Sequence, residues 1–414
     1  MHDRELTRPP VPEPLGLGAL RDELLLQLCA RALSDRLDGR ITLNLPSGRA
    51  RTFGSGELHA ELYLRSFGVL WSALRRGALG FAEAYLNQDV DTPDLANVFR
   101  FFVRNRRSLE QSGRGVFHVR RTDVAYHKSR ANTRAGSRRN IADHYDLGND
   151  FYAHWLDPGM AYSSGIYLAP DMTLADAQAA KYAEVLAAME LAADDHVLEI
   201  GCGWGGFIEA AAKIGARVDA ITVSQRQLNY TQARLEQAAL CNRATARFQD
   251  YRDAQGTYDK IASIEMIEAV GEDHWSTYFK TLYSRLKPGG IAVVQAISIR
   301  DESYPDYRRK PDFIQRYIFP GGMLPTKAIL HEQAAAVGLT SETWREFGAS
   351  YARTLAEWRR HFHDQWPQIS ALGFDDRFKR LWDYYLTYCE VGFATGVIDV
   401  GIYRFHRPLV AHQS

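Results

Sequence analysis

Residues 197–207, VLEIGCGWGGF, carry an apolar strand straight into Gly201, Gly203, Gly205 and Gly206 and then into a helical pattern. No other stretch limits the fold as much. Glycines at such a junction let the backbone take positive φ and approach a ligand closely, while the amides that open the next helix face whatever is bound. The strand HVLEI at 196–200 is followed by three more short β-rich runs, RVDAITV, YDKIASIEM and GIAVVQAISI, with helical stretches such as SQRQLNYTQARLEQAAL between them. Strand alternating with helix predicts a doubly wound parallel α/β sheet.

The texture differs earlier in the chain. LRDELLLQLCARAL and GVLWSALRRGALGFAEAYLNQ have helical apolar spacing, and RITLNLPSGRARTFG alternates like a hairpin around Pro-Ser-Gly, so a small α+β module comes first. We divide the 414 residues into a flexible N-terminus (1–18), this module (19–117), a basic linker (118–139) and the α/β domain (140–414). A chain of this length exceeds the usual single core. Hydrophobic residues at 46% and charged residues at 24% are ordinary for a globular protein, and no apolar run approaches a bilayer span. The Pro-rich, charged start MHDRELTRPPVPEPLGLG lacks a signal-peptide core, which points to a cytoplasmic home. Cys29, Cys202, Cys241 and Cys389 form no C-x-x-C pair, which argues against a disulfide framework and a structural zinc site; no metal is expected.

The formal net charge of +0 hides an uneven distribution. Between 118 and 140 stand Arg120, Arg121, Lys128, Arg130, Arg134, Arg138 and Arg139 against the single acid Asp123. Such a segment is either a solvated linker or an attractor for anionic phosphates.

Gly201, Gly203 and Gly206 fit the dinucleotide pattern G-x-G-x-x-G, yet the second strand ends AITVS with no acid for a ribose. Glu199 instead completes the E-x-G-x-G form of S-adenosylmethionine-dependent methyltransferases, and LKPGG at 286–290 supplies the turn such enzymes carry before a late strand. The resemblance then narrows. HYDLGNDFYAHWLDPGMAYSSGIY, VLEIGCGWGGF, DYRD, IEMIEAVG, YIFPGGMLPT and YYLTYCEVGF occur in the order and spacing of the cyclopropane-fatty-acyl-phospholipid synthase family, across residues 140 to 405. That resemblance implies a class I methyltransferase (Rossmann-like) sheet with a lid insertion, unsaturated phospholipid acyl chains as substrate, peripheral contact with the inner face of an anionic membrane, no nucleic acid, and a homodimer. It places the cofactor on Tyr162, Ser163, Glu199, Gly201, Gly203, Gly205, Thr222, Gln227, Tyr251 and Arg252.

The implied reaction is attack by an alkene on a sulfonium methyl, followed by proton loss from the resulting cation. The protein must orient the double bond, exclude water and shelter positive charge. In the family a bound bicarbonate removes the proton, and its holders fall here on Glu268, Tyr351, the backbone of Ile297, Ser164 and Gln295. Ser164 and Gln295 replace the Cys and His of familiar bacterial members, whereas plant-type relatives resemble this chain at the glutamine. Serine and glutamine can still donate to an anion, so bicarbonate stays open, as does the choice between a ring and a methyl- or methylene-branched chain. Cys389 coincides with a family cysteine that borders the acyl channel, and RYIFPGGMLPT reads either as a loop exposing apolar side chains or as an internal lid. Glu265 either faces the cofactor or caps a turn. Two other classes stay in play, a nicotinamide-dependent dehydrogenase and an idle lipid-binding protein.

Overall fold

The computed structural model describes residues 22–23, 26–27, 37–66, 68–112, 130, 132–134, 136–137, 139–140 and 147–409. The expected flexible start, most of the first helix, and Arg120, Arg121, Lys128 and Arg138 lie outside them. The chain divides into two compact units, Met1–Arg121 with Phe374–Val391, and Thr122–Gly373 with Gly392–Ser414. A segment near the C-terminus, read from sequence as part of the α/β domain, thus groups with the first unit.

In the first unit β1 (Asp38–Asn44) and β2 (Ala50–Leu64) form the hairpin, and the two-residue β3 (Val90–Asp91) pairs with β2. Its turn is closed by Gly48 N donating to the Leu45 carbonyl at 2.9 Å. Helix α1 (Gly68–Leu86) kinks at Gly77, where φ is 55°. Helix α2 (Leu95–Arg104) starts on Asp94, whose carboxylate accepts from Asn97 N at 3.0 Å, and buries Val98, Phe99 and Phe101.

In the second unit a short helical turn at Asn149–Ala153 precedes helix α3 (Leu174–Ala188). A capping box starts it, Thr173 and Asp176 each accepting from the other's amide. Then come β4 (His196–Ile200), α4 (Gly206–Ile214), β5 (Arg217–Thr222), α5 (Gln225–Gln237), β6 (Ala244–Phe248), β7 (Tyr258–Ile264), α6 (Trp275–Arg285) and β8 (Leu286–Ile299). After an insertion that contains a short π-helical turn at Ile314–Ile318 come α7 (Lys327–Ala335), β9 (Thr340–Glu346), α8 (Gly348–Asp364), a short helix at Trp366–Ala371, α9 (Asp376–Ala394, shared with the first unit) and β10 (Ile398–His406). The seven strands are ordered β6-β5-β4-β7-β8-β10-β9. All neighbours are parallel except β10, which runs antiparallel between β8 and β9. That insertion separates the sheet from the six-stranded dinucleotide order.

The strands read as apolar runs because helices cover the sheet. Tyr278, Phe279 and Leu282 of α6 pack with Ile261, Ala292, Val294 and Phe405 in one fully enclosed cluster. Each such side chain contributes about 1.5–3 kcal/mol on burial. Chain order reverses between β4 and β7, so their carboxyl ends open the crevice where sheets of this kind bind ligands.

Candidate active site

The glycine turn leaves β4 at this crevice. Gly203 has φ 52°, and a Cβ built there meets no protein atom within 4 Å, so the volume beside it is open. Gly206 is needed for the opposite reason, since a Cβ there collides with the Tyr182 hydroxyl. Glu199 is 2% exposed, its Oε2 has no hydrogen-bond partner among the described residues, and burial pushes its carboxyl up to about 8. At the end of β5, Thr222 Oγ1 donates to Gln227 Oε1 at 3.1 Å, so the two residues expected at the adenosine side hold each other. Beyond β6, the enclosed Tyr251 hydroxyl also lacks a partner among the described residues. Arg252 is committed elsewhere: it grips Asp250 with Nε at 2.8 Å and Nη2 at 2.7 Å, and Nη1 donates to the Asn132 carbonyl at 3.2 Å. It anchors the chain around residue 132. Tyr162 sits among the rings of Tyr152, Trp155 and Trp358, with centroids 5.3 to 5.6 Å away. Open volume at a glycine turn, two enclosed oxygens without partners and an aromatic wall fit S-adenosylmethionine.

The acids lie at the end of β7. Glu265 is the first residue past the strand and has φ 48°, a left-handed conformation rare outside glycine and turn residues. This backbone turns its carboxylate toward three donors. Oε1 accepts from Ser164 N at 2.8 Å and from Gln295 Nε2 at 2.7 Å, and Oε2 accepts from the Tyr351 hydroxyl at 2.6 Å. Gln295 reaches it because β8 pairs with β7 in parallel, Ile264 facing Gln295. Tyr351 comes from α8 and stacks on Phe393 at 4.3 Å. Burial raises the Glu265 carboxyl, while the three donors and the charge of Lys181 pull it back.

Ser164, Gln295 and Tyr351 are thus brought together, but around Glu265 and not around Glu268. Ser164 contributes its backbone amide, for its hydroxyl donates to the Gly165 carbonyl at 2.9 Å. Glu268 accepts at Oε1 from the Ile297 amide at 2.5 Å, and its enclosed Oε2 has no partner among the described residues. Burial, and then the neighbouring Glu265 charge, push the Glu268 carboxyl up to about 8. The donor set expected to hold bicarbonate is occupied by the chain's own carboxylate, so these residues do not fit a free anion there. Cys389 falls in the first unit.

The RYIFPGGMLPT loop packs inward. Ile318 and Met323 are 3% and 6% exposed, Gln315 Nε2 donates to the Gly322 carbonyl at 2.9 Å, and Met323 N donates to the Glu268 carbonyl at 2.8 Å. The lid reading holds. Within the basic segment, Arg134 pairs with Asp253 at 2.7 Å and Arg130 donates to Asn140 at 3.4 Å.

Sequence reasoning missed Gln178 and Lys181, both buried on α3. The available signal was a lysine three residues after a glutamine on the small-residue face of LADAQAAKYAEVLAA.

The raised Glu268 carboxyl has a measurable consequence. Between about pH 4.5 and about pH 8 the folded chain keeps a proton that the unfolded chain has released, so the associated stability is complete at low pH and is lost as pH rises through about 8. Glu268→Gln stays neutral throughout. Its melting temperature should therefore fall less than that of the wild type between about pH 6 and about pH 9, by a few degrees. Parallel curves would exclude a buried neutral Glu268.

A seven-stranded sheet with one reversed strand, joined to this crevice, defines a class I S-adenosylmethionine-dependent methyltransferase. Residues 132–403 match the mycolic acid cyclopropane synthetase family. Over 390 residues the chain is 36% identical to the tuberculostearic acid methyltransferase UfaA1 of Mycobacterium tuberculosis, covering 91% of each protein. It is 31% identical over 364 residues to the cyclopropane-fatty-acyl-phospholipid synthase of Escherichia coli K12, covering 85% of this chain and 89% of that one. The crystal structure of the mycolic acid cyclopropane synthase CmaA1 complexed with SAH and CTAB superposes with a TM-score of 0.61 at 29% identity, over 65% of this chain and 98% of that one. The chain belongs to the mycolic acid cyclopropane synthetase family and is an S-adenosylmethionine-dependent methyltransferase. The dehydrogenase reading of the glycines falls away.

Proposed function

We propose that the protein methylates the double bond of unsaturated acyl chains in membrane phospholipids and releases methyl- or methylene-branched chains in preference to a cyclopropane. The relatives include both cyclopropane synthases and fatty acid methyltransferases, so family membership does not choose between products. The observation that carries the choice is the capture of Ser164, Gln295 and Tyr351 by Glu265.

S-adenosylmethionine, when bound, supplies an electrophilic methyl group beside the crevice. The alkene's π electrons form the new carbon–carbon bond, and the positive charge moves to the acyl chain. Glu265 faces that charge as a fixed anion, and the ring of Tyr351 adds an aromatic face. Ring closure then requires a base to take a proton from the new methyl. Burial raises the Glu265 carboxyl, but three hydrogen bonds engage both of its oxygens and slow proton transfer to it, and Glu268 is neutral below about pH 8. The cation therefore lasts long enough for a hydride to shift along the chain, and Glu265, the carboxylate that faces it, then takes the proton lost from the chain, which leaves a carbon–carbon double bond at the branch. That sequence gives a branch.

Gas chromatography of acyl methyl esters, after turnover on vesicles of unsaturated phospholipid, tests this reading. Branched products should dominate near neutral pH, and the cyclopropane share should grow as pH passes about 8, where Glu268 gains a charge and its partnerless oxygen becomes an acceptor. Exclusive cyclopropane at neutral pH overturns the proposal. An acyl chain must leave the bilayer partly to reach the crevice, and no helix among the described residues is long and apolar enough to cross a membrane. We accordingly infer peripheral binding at the cytoplasmic membrane face, with the basic segment as the attractor. The first unit is assigned to lipid presentation or to pairing of two copies, on the family resemblance alone.

A further inference from the structure

Helix α3 holds the segment that precedes Glu265's donors. Gln178 Nε2 donates to the Ser163 carbonyl at 2.7 Å, and Lys181 Nζ, one turn on, donates to Ser163 Oγ at 2.7 Å. The approach is tight: a Cβ on Gly165 would lie 2.9 Å from the Ala177 Cβ, and Ile166 N donates to the Ala177 carbonyl at 2.9 Å. The next residue after the clamped Ser163 is Ser164, whose amide donates to Glu265.

Lys181 is 0% exposed, and a buried ammonium is costly unless countercharge surrounds it. Acids from three elements act on it, Glu265 past β7 first, then Asp157, and then Glu199 in β4, which gains its own charge only as pH nears 8. Asp157 is itself held by Gly159 N at 2.7 Å and Ala161 N at 2.9 Å, and the Tyr182 ring lies 3.8 Å from Nζ. No carboxylate reaches ion-pair distance of Lys181 among the described residues. Its charge therefore acts through space, and its hydrogen bond goes to the Ser163 hydroxyl oxygen.

We propose that Lys181 is a positioning residue for methyl transfer, keeping Glu265 ionised by its charge and aiming the Ser164 amide at that carboxylate through Ser163. Burial lowers Lys181 and the acids offset part of that fall, which leaves it at about 8, so the ammonium persists at neutral pH. Among the described residues, Lys181 is the cation with the largest influence on the Glu265 carboxyl. The role in turnover rests on the proposed place of Glu265 in the chemistry.

The test is infrared spectroscopy of the protonated-carboxyl band, paired with pH profiles of kcat/KM. At neutral pH, Lys181→Met and Lys181→Gln should each gain band intensity that disappears when Glu265→Gln is added. The acidic limb of kcat/KM should move up by about one pH unit, a loss of about tenfold at a fixed acidic pH. Lys181→Gln keeps a donor for Ser163 and carries the test if Lys181→Met does not fold. Folded variants with no added band overturn the proposal. A band response from a protein that makes no methylated acyl chain instead overturns the proposed function and leaves the coupling of Lys181 to Glu265 supported.

Discussion

Glu265→Gln should bind S-adenosylhomocysteine about as well as the wild type and turn over unsaturated phospholipid about a hundred- to a thousandfold more slowly. The substitution nearly conserves shape, and one amide oxygen can still accept from Ser164 or Gln295. What disappears is the fixed negative charge facing the cation. Removing a preorganised electrostatic partner acts on the transition state and leaves ground-state binding largely intact, so kcat should fall with little change in KM. Glu268→Gln should cost less than tenfold near neutral pH, because the wild-type side chain is already uncharged below about pH 8. Single-turnover rates decide between the two acids. A larger loss in Glu268→Gln than in Glu265→Gln reverses the assignment.

Gly203→Val should fold and lose the cofactor. Its Cβ would meet no protein atom within 4 Å, so the substitution creates no internal clash. With φ at 52° the backbone disfavours a β-branched residue by roughly 1–2 kcal/mol, which a domain of this size tolerates. The two methyl groups would instead fill the open volume beside the turn. Calorimetry should show S-adenosylhomocysteine affinity weakened by about a hundredfold or more. Near-normal affinity in a folded variant would remove the glycine turn from the binding site.

The parallel strands were readable because burial under helices makes each an apolar run bounded by turns: HVLEI appears at His196–Ile200 as the pattern requires. The placement of β10 between β8 and β9 was not, since an apolar run does not encode which edge it joins or in which direction. Motif spacing brought Ser164, Gln295 and Tyr351 together around Glu268, whereas in the structure their donors meet Glu265. The reason is a single backbone angle at Glu265, which no hydrophobic pattern reports. The loop after Ile318 shows a related limit. Its apolar residues suited an exposed membrane contact as well as a lid, and hydrogen bonds from Gln315 and to the Glu268 carbonyl draw it inward. Lys181 escaped notice because lysines on helices are ordinarily solvated.

The left-handed backbone at Glu265 has an evolutionary consequence. Glycine is the residue that such an angle favours, and every glutamate codon becomes a glycine codon by one change at its second base. A single nucleotide therefore separates a chain that carries its own anion at the strand end from one with a relaxed turn and a vacated space, while Ser164, Gln295 and Tyr351 keep their places. Enzymes that branch acyl chains and enzymes that close rings on them can be immediate mutational neighbours, with backbone relief favouring the step toward glycine and the built-in charge favouring the step back.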